Sequence, residues 1–138
     1  GKFVAEQTVK KLLQSGLSVE SARVVILGLA FKEDCPDIRN SKVADIVTEL
    51  MDYRCKVSVH DALADPAEAK DEYDITLENW SQLPPADALV LAVPHREYLS
   101  LDVGALTAML APGGIIIDVK SRLDREALAA ADVPYWRL

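Results

Sequence analysis

The sequence predicts a fold of the α/β class, an open parallel sheet of five to six strands with helices on both faces. One observation behind this is a series of short, wholly apolar runs, which are typical of strands buried on both faces. A second is that segments with apolar residues at helical spacing separate these runs. A third is the length of 138 residues without internal repeats, which suits one hydrophobic core.

A first helix is predicted over 1–15, because its apolar residues fall on one stripe and Gly16 follows as a C-cap. It begins at the first residue without an N-cap, so we expect the chain to be a piece of a longer protein, cut within a helix. We therefore divide the chain into 1–16, the end of a long helix, and 17–138, the α/β domain.

Six short segments are predicted as strands, because they are apolar and bounded by turn residues. They are Val24–Gly28, Val57–His60, Tyr73–Thr76, Ala88–Val93, Ile115–Val119 and Val133–Trp136. Tyr73–Thr76 is expected to be a short edge strand. With right-handed crossovers, the strand order is 3-2-1-4-5-6.

Helices are predicted between most of these strands. The helix after the first strand is expected from Asn40 or Ser41 onward, where apolar residues recur at helical spacing. The polar, alanine-rich segment 62–70 forms a short helix. Asp102 and Asp124 are predicted as N-caps of the last two helices.

The composition excludes several classes of function. A net charge of -7 argues against nucleic acid or an anionic membrane as the main partner. No apolar run approaches the roughly 20 residues of a membrane span. Cys35 and Cys55 form no CxxC pair, which indicates free thiols and a cytoplasmic, reducing compartment. With two histidines in the chain, no dedicated zinc site is expected.

In such a sheet, ligands bind outside the carboxyl ends of the strands, where the strand order reverses. Here that point lies between the first strand and the strand that ends at Val93. Three loops are expected to meet there, namely Phe31–Arg39, Pro94–Tyr98 and Lys120–Arg122. These loops carry five of the fifteen basic residues: Lys32, Arg39, Arg96, Lys120 and Arg122. In an acidic protein this convergence predicts a phosphate or diphosphate ligand.

Each of these residues, taken singly, also has a structural interpretation. Lys32 or Lys120 is then simply solvated, and Arg39 or Arg122 pairs with an aspartate nearby in the sequence. Phe31 either fills the core or offers a platform for a flat base.

Three other residues leave alternatives open. His95 is either a general base or a hydrogen-bonded loop histidine. Asp61 stands where some dinucleotide folds hold a ribose, but Gly28 alone follows the first strand and GxGxxG is absent. Cys35 would be a nucleophile only if it is accessible, as in a redox or coenzyme A-binding protein.

Two linked motifs carry a resemblance to a known family. Gly28–Lys32 spells Gly-Leu-Ala-Phe-Lys, Asp37–Ser41 spells Asp-Ile-Arg-Asn-Ser, and Val93–His95 and Ile117–Lys120 fit the later pattern. Together they resemble the C-terminal, nucleotide-sugar-binding domain of the UDP-glucose/GDP-mannose dehydrogenase family, which has a Rossmann-like fold. The sequence of Cys35–Asn40 is most similar to that of the branch of the family that acts on UDP-N-acetylhexosamines or their uronates in the synthesis of surface polysaccharide.

The resemblance implies a set of roles. In that family, the whole enzyme oxidises the sugar C6 alcohol to a carboxylate with NAD, through a cysteine-bound thioester. Phe31, Lys32 and Arg122 would bind the UDP-sugar, and Arg39 would reach toward NAD. The resemblance also implies a homo-oligomer when the protein is full length.

The NAD-binding domain, the catalytic cysteine segment and the central helical domain of that family are absent from this chain. We therefore expect that NAD is bound mainly by an N-terminal domain, and that this chain alone has no catalytic residue. Its partners would be a UDP-sugar and the rest of the same polypeptide, and neither nucleic acid nor membrane. The alternative is a stand-alone, non-catalytic nucleotide-sugar-binding or regulatory module.

Overall fold

Five parallel strands form the central sheet of the computed structural model, which describes residues 1–138. In chain order they are β1 (Arg23–Leu27), β2 (Lys56–His60), β3 (Ala86–Leu91), β4 (Leu110–Asp118) and β5 (Tyr135–Arg137). Their order in the sheet is β2-β1-β3-β4-β5, and each neighbouring pair is parallel. The predicted fold class is therefore confirmed.

Six α-helices cover the two faces of the sheet. They are α1 (Lys2–Gln14), α2 (Val43–Asp52), α3 (Pro66–Tyr73), α4 (Arg96–Leu99), α5 (Val103–Thr107) and α6 (Arg125–Ala130), with a short 3₁₀ helix at Trp80–Gln82. Side chains of α1, α2 and α3 belong to one buried cluster, and those of α4, α5 and α6 to the other. None of the helices is both long and apolar enough to span a membrane.

Alternate residues of the central strands enter opposite clusters. On β1, Val24 and Ile26 join the cluster under α1 and α2, whereas Val25 and Leu27 join the cluster under the later helices. This is the period of two that a pleated strand imposes. Since both faces are covered, the strand is apolar and buried from Val24 to Leu27, which is the pattern that identified it in the sequence.

The third predicted strand is wrong. Tyr73 ends α3, and beyond it Leu77 makes a single parallel bridge to Val59 on the outer side of β2. The helix extends to Tyr73 because its hydroxyl donates to the Ile38 carbonyl at 2.5 Å and accepts the Ser41 N–H at 3.0 Å. With that segment reduced to one bridge, the remaining strands keep the predicted order.

Several predicted boundaries also shift. The second helix begins at Val43, because the Ser41 hydroxyl donates back to the Leu29 carbonyl at 2.6 Å. The loop predicted at Pro94–Tyr98 contains α4. The fourth strand begins at Leu110 and the last covers Tyr135–Arg137.

The predicted caps are found. Asp102 accepts the Ala105 N–H at 2.7 Å at the start of α5, and Asp124 caps α6. At the end of α1, Gly16 has a φ of 77°, and the N–H of Leu17 bonds to the Leu12 carbonyl at 2.9 Å. Side chains of α1 lie in the same core cluster as the sheet. The division at residue 16 stays a prediction.

Gly28 brings the ends of β1 and β3 into close approach. Its φ is 100°, and a Cβ there would lie 2.5 Å from the Val93 Cβ, 2.8 Å from its N and 3.0 Å from its Cα. The Ala92 and Val93 N–H groups both donate to the Leu27 carbonyl. Only glycine fits at this close approach, where the segment that follows β1 passes the segment that follows β3.

Gly28→Ala is expected to lower the free energy of unfolding by about 2–5 kcal/mol, because positive φ and overpacking both oppose it. Gly16→Ala is the matched control, since Gly16 also has a positive φ but a Cβ there would meet no atom within 4 Å. We expect about 1–2 kcal/mol for this control. Denaturant unfolding measures both; equal losses would show that the Val93 contact costs nothing.

Candidate functional site: a cationic cavity at the switch point

The candidate site lies where β1 and β3 are neighbours and the chain leaves them in opposite directions along the sheet. The connection after β1 leads to β2 on one side, and the connection after β3 leads to β4 on the other. This is the topological switch point at which open α/β sheets bind their ligands. The loop from Leu29 to Ser41 follows β1 at this point and leads into α2.

Asp61, which follows β2 directly, holds the start of this loop. Its Oδ2 accepts the Leu29 N–H at 2.6 Å and the Ala30 N–H at 2.9 Å. Its Oδ1 accepts the Leu63 N–H at 2.8 Å and the Ala64 N–H at 2.9 Å. The carboxylate therefore stabilises two backbone turns at once and is buried, so it does not face a ribose.

His95 completes this buried arrangement from the end of β3. Its Nε2 lies 3.1 Å and 3.2 Å from the two Asp61 oxygens, and its Nδ1 accepts the Asp34 N–H at 2.9 Å. The side chain of His95 is 0% exposed. The bonded loop histidine is thus the interpretation that the structure supports, and the general base is not.

Phe31, Lys32 and Lys120 line one cavity of about 300 Å³ at this edge of the sheet. Apolar walls come from Val93 and Val119, which follow β3 and β4. Phe31 is 59% exposed, so it does not fill the core and its ring is available to a ligand. The structure brings these three predicted residues together.

The cavity contains a third lysine that the sequence did not single out. Lys42 is the N-cap residue of α2, has no side-chain cap hydrogen bond, and lines the cavity with Asn40. None of the ion pairs of the structure involves Lys32, Lys42 or Lys120. The positive end of the α2 dipole adds to these three charges. In the sequence, the apolar spacing of α2 shows that a helix starts near Lys42. It does not show that the side chain of Lys42 faces the cavity.

Arg39 and Arg96 are each paired with a carboxylate of the loop after β1. Arg39 donates to Asp37 at 3.0 Å from Nε and 2.8 Å from Nη2. Arg96 lies 3.7 Å from Asp34 through Nε. The Asp37 partnership is the structural alternative considered for Arg39. It holds the pKa of the Asp37 carboxyl at about 2 through the hydrogen bonds from Arg39.

Arg122 is exposed and does not line the cavity that contains Lys32. Its backbone N–H donates to Asp118 Oδ1 at 3.1 Å, and the Leu123 N–H donates to Oδ2 at 2.9 Å. The loop that carries Arg122 is thus held at the end of β4, next to Lys120. Arg39 does not line that cavity either, but it lines a neighbouring one of about 180 Å³ with Phe31 and Asn40.

The two cysteines are free thiols. Cys35 is half-buried in the loop after β1 and no hydrogen bond joins its sulfur to a base. Cys55 lies in the core, where burial raises the pKa of its thiol. Neither cysteine has the surroundings of an activated nucleophile.

The arrangement defines a class: a Rossmann-like domain whose switch-point cavity suits an anionic ligand. Residues 25–125 match the model of the UDP-glucose/GDP-mannose dehydrogenase family, UDP binding domain. The chain belongs to this family.

Two of the curated relatives are bacterial proteins. The chain is 37% identical over 137 residues to protein CapL of Staphylococcus aureus, covering 99% of the chain and 32% of that relative. It is 35% identical over 126 residues to UDP-N-acetyl-D-glucosamine 6-dehydrogenase of Salmonella typhi, covering 91% of the chain and 30% of the relative. The chain thus spans about a third of the length of these relatives.

A solved structure has the same fold. It is NDP-N-acetyl-D-galactosaminuronic acid dehydrogenase from Methanosarcina mazei Go1, with a TM-score of 0.79 and 22% identity. The similarity covers 98% of this chain and 28% of that protein.

Asp61→Asn is expected to lower the free energy of unfolding at pH 7 by about 3–5 kcal/mol, because an amide N–H₂ would then face backbone N–H donors in a buried place. Asp71→Asn, on the exposed surface of α3, is the control and should change stability by at most about 0.5 kcal/mol. Denaturant unfolding of both variants gives the comparison. Equal, small effects would show that the Asp61 charge is unimportant.

The difference in the free energy of unfolding between wild type and Asp61→Asn depends on pH. Burial raises the pKa of Asp61, but hydrogen bonds from His95 and the backbone N–H groups outweigh burial and lower it. A lowered pKa stabilises the fold above the unfolded value of about 4, and the contribution is lost as the pH falls toward the folded value. The stability gap between wild type and Asp61→Asn should therefore be constant from pH 7 to about 5 and narrow below about 4. A gap that widens on acidification would contradict this sign.

Proposed function

We propose that this chain is the UDP-sugar-binding C-terminal domain of an NAD-dependent dehydrogenase. In the complete protein, the sugar C6 alcohol of a UDP-N-acetylhexosamine or its uronate is oxidised to the carboxylate. The observation that carries the proposal is the cavity in which Phe31, Lys32 and Lys120 meet at the switch point. The names of the curated relatives favour the N-acetylhexosamine branch.

The charges of the cavity suit a diphosphate. Three lysines that form no ion pair line one cavity at the start of α2 together with a single carboxylate, Glu33, in a protein of net charge -7. A ligand that carries two adjacent phosphates relieves their mutual repulsion and accepts charge-assisted hydrogen bonds. Neutral sugars or cationic ligands would leave this repulsion in place.

The exposed ring of Phe31 suits the uracil base, because a flat aromatic surface stacks on a base with little loss of side-chain freedom. Lys32 follows it directly and lines the same cavity, and we propose that it binds the diphosphate. We propose that Arg122 meets the sugar or the diphosphate from the loop after β4. Its side chain is exposed, and its backbone N–H is held at the end of β4 by Asp118.

The residues of this chain do not form an NAD site on their own. Gly28 is the one glycine in the loop between β1 and α2. The Asp61 carboxylate accepts backbone N–H groups and is therefore not free to bind a ribose. We propose that the cofactor is held mainly by the rest of the complete protein, and that Arg39 extends toward it. The side chain of Arg39 is 79% exposed, so its pairing with Asp37 leaves it accessible.

This assignment leaves the chain without a catalytic residue of its own. We also place the complete protein in the cytoplasm, because the free thiols of Cys35 and Cys55 suit a reducing compartment. We propose that the complete protein is a homo-oligomer, as the family resemblance implies.

Calorimetric titration with UDP tests the proposal. Lys32→Ala and Lys120→Ala should each weaken UDP binding by about 1–3 kcal/mol, as expected for loss of a charge-assisted hydrogen bond. Lys56→Ala removes the same charge at the amino end of β2, on the far edge of the sheet, and should change affinity by at most about 0.5 kcal/mol.

Binding should also weaken as salt is raised, because the proposed contacts are ionic. Uridine without phosphate should bind far more weakly than UDP. If Lys32→Ala and Lys120→Ala both bind UDP as tightly as wild type, the cavity is not the diphosphate site.

A further inference from the structure

The loop that displays Phe31 and Lys32 is held at two points by buried groups. At its start, Asp61 accepts the Leu29 and Ala30 N–H groups. Further along, the Asp34 N–H donates to His95 Nδ1 at 2.9 Å. The two proposed ligand-binding side chains lie between these points and are themselves exposed.

The two points differ in how far they depend on His95: at Asp34 the backbone N–H bonds to the histidine, while the side-chain Oδ1 accepts the Arg96 N–H at 2.8 Å. Asp61 keeps four backbone N–H donors even without the histidine. The Asp34 N–H has one acceptor, the ring nitrogen of His95. Asp34 itself adopts a left-handed backbone conformation with a φ of 59°. A residue other than glycine keeps this conformation only where its surroundings hold it.

The hydrogen bonds also define the state of the ring. Nδ1 accepts a hydrogen bond, so it carries a lone pair, and Nε2 is then the nitrogen that donates to Asp61. The ring is fully buried between these partners and does not itself line the cavity. His95 can therefore act on a ligand only through the loop.

We propose that His95 is a positioning residue for UDP-sugar binding: its Nδ1 fixes Asp34 and thereby presents Phe31 and Lys32 in a preformed arrangement. A loop already ordered before binding loses less conformational freedom when the ligand arrives. The inference rests on the proposed function for its effect on affinity, but not for its effect on loop order.

Two substitutions separate the two contacts of the ring. His95→Asn places its amide oxygen where Nδ1 lies, so it keeps the acceptor for the Asp34 N–H and loses the donor to Asp61. His95→Gln places its amide nitrogen near Nε2, so it keeps the donor and loses the acceptor. Both substitutions remove the imidazole ring from the same buried position. The two variants should therefore lose a similar amount of folding stability.

The experiment measures UDP affinity by calorimetry and amide hydrogen exchange at Asp34 in this 138-residue chain. His95→Gln should bind UDP about fivefold more weakly and exchange Asp34 about tenfold faster. His95→Asn should stay within about twofold of wild type in both measurements. Leu106→Ala, a core truncation in α5, should lower the melting temperature and change neither.

A measurement on the wild type needs no variant to fold. An N–H···N hydrogen bond transmits a scalar coupling between its two nitrogens, so NMR of labelled protein should show a coupling between the Asp34 amide nitrogen and His95 Nδ1. Its absence would overturn the proposal.

The outcomes are distinct. Equal losses in the Gln and Asn variants, or a loss in Leu106→Ala of the same size, would show that affinity follows stability and would overturn the positioning role. Unchanged exchange at Asp34 in His95→Gln would also overturn it. If wild type does not bind UDP, the proposed function fails, and the exchange comparison and the coupling still decide whether His95 holds the loop.

Discussion

The buried carboxylate of Asp61 is the interaction on which the candidate site depends. One negative charge, taken out of water, is compensated by four backbone N–H groups and a histidine that belong to the ends of three neighbouring strands. Such a charge is costly to bury unless every oxygen is satisfied, so the three strand ends are held in one relative position. The loop that lines the cavity inherits this position. The ligand-binding edge of the sheet is thus rigid for an electrostatic reason, in addition to the packing beneath it.

The distribution of cations follows a second constraint. Arg39 is paired with Asp37 of its own loop and Arg96 with Asp34 of the loop after β1, whereas the lysines of the cavity form no ion pair. The three lysines are exposed to solvent and outnumber the single carboxylate of the cavity, Glu33, so the cavity carries a local excess of positive charge in an acidic protein. Their arrangement is explained if an anion completes the site, and it gives the proposed diphosphate both attraction and position.

Much of the fold could be predicted because burial on both faces leaves a clear pattern. Val24–Leu27 in β1, Ala88–Leu91 in β3 and Ile115–Ile117 in β4 are continuous buried apolar runs, which are typical of strands covered on both faces. Tyr73–Thr76 was predicted wrongly because its apolar residues look like an edge strand locally. Its true state is decided by a hydroxyl that reaches Ile38, 35 residues away in the chain. The same limit applies to the site: loop positions indicated Lys32 and Lys120, and the family resemblance indicated Phe31, but the partners of Asp61 and His95 come from distant segments. A single sequence does not show those pairings.

The close approach at Gly28 has a consequence for the design of altered specificity. Two of the three atoms that a side chain there would strike are backbone atoms of Val93. No exchange of the valine can therefore make room, and no compensating pair of mutations exists for this crossing. A mutant library that aims to reshape the cavity should leave this glycine constant. Its diversity belongs at Phe31, Asn40 and Pro94, whose side chains form the wall without setting the spacing of the strands.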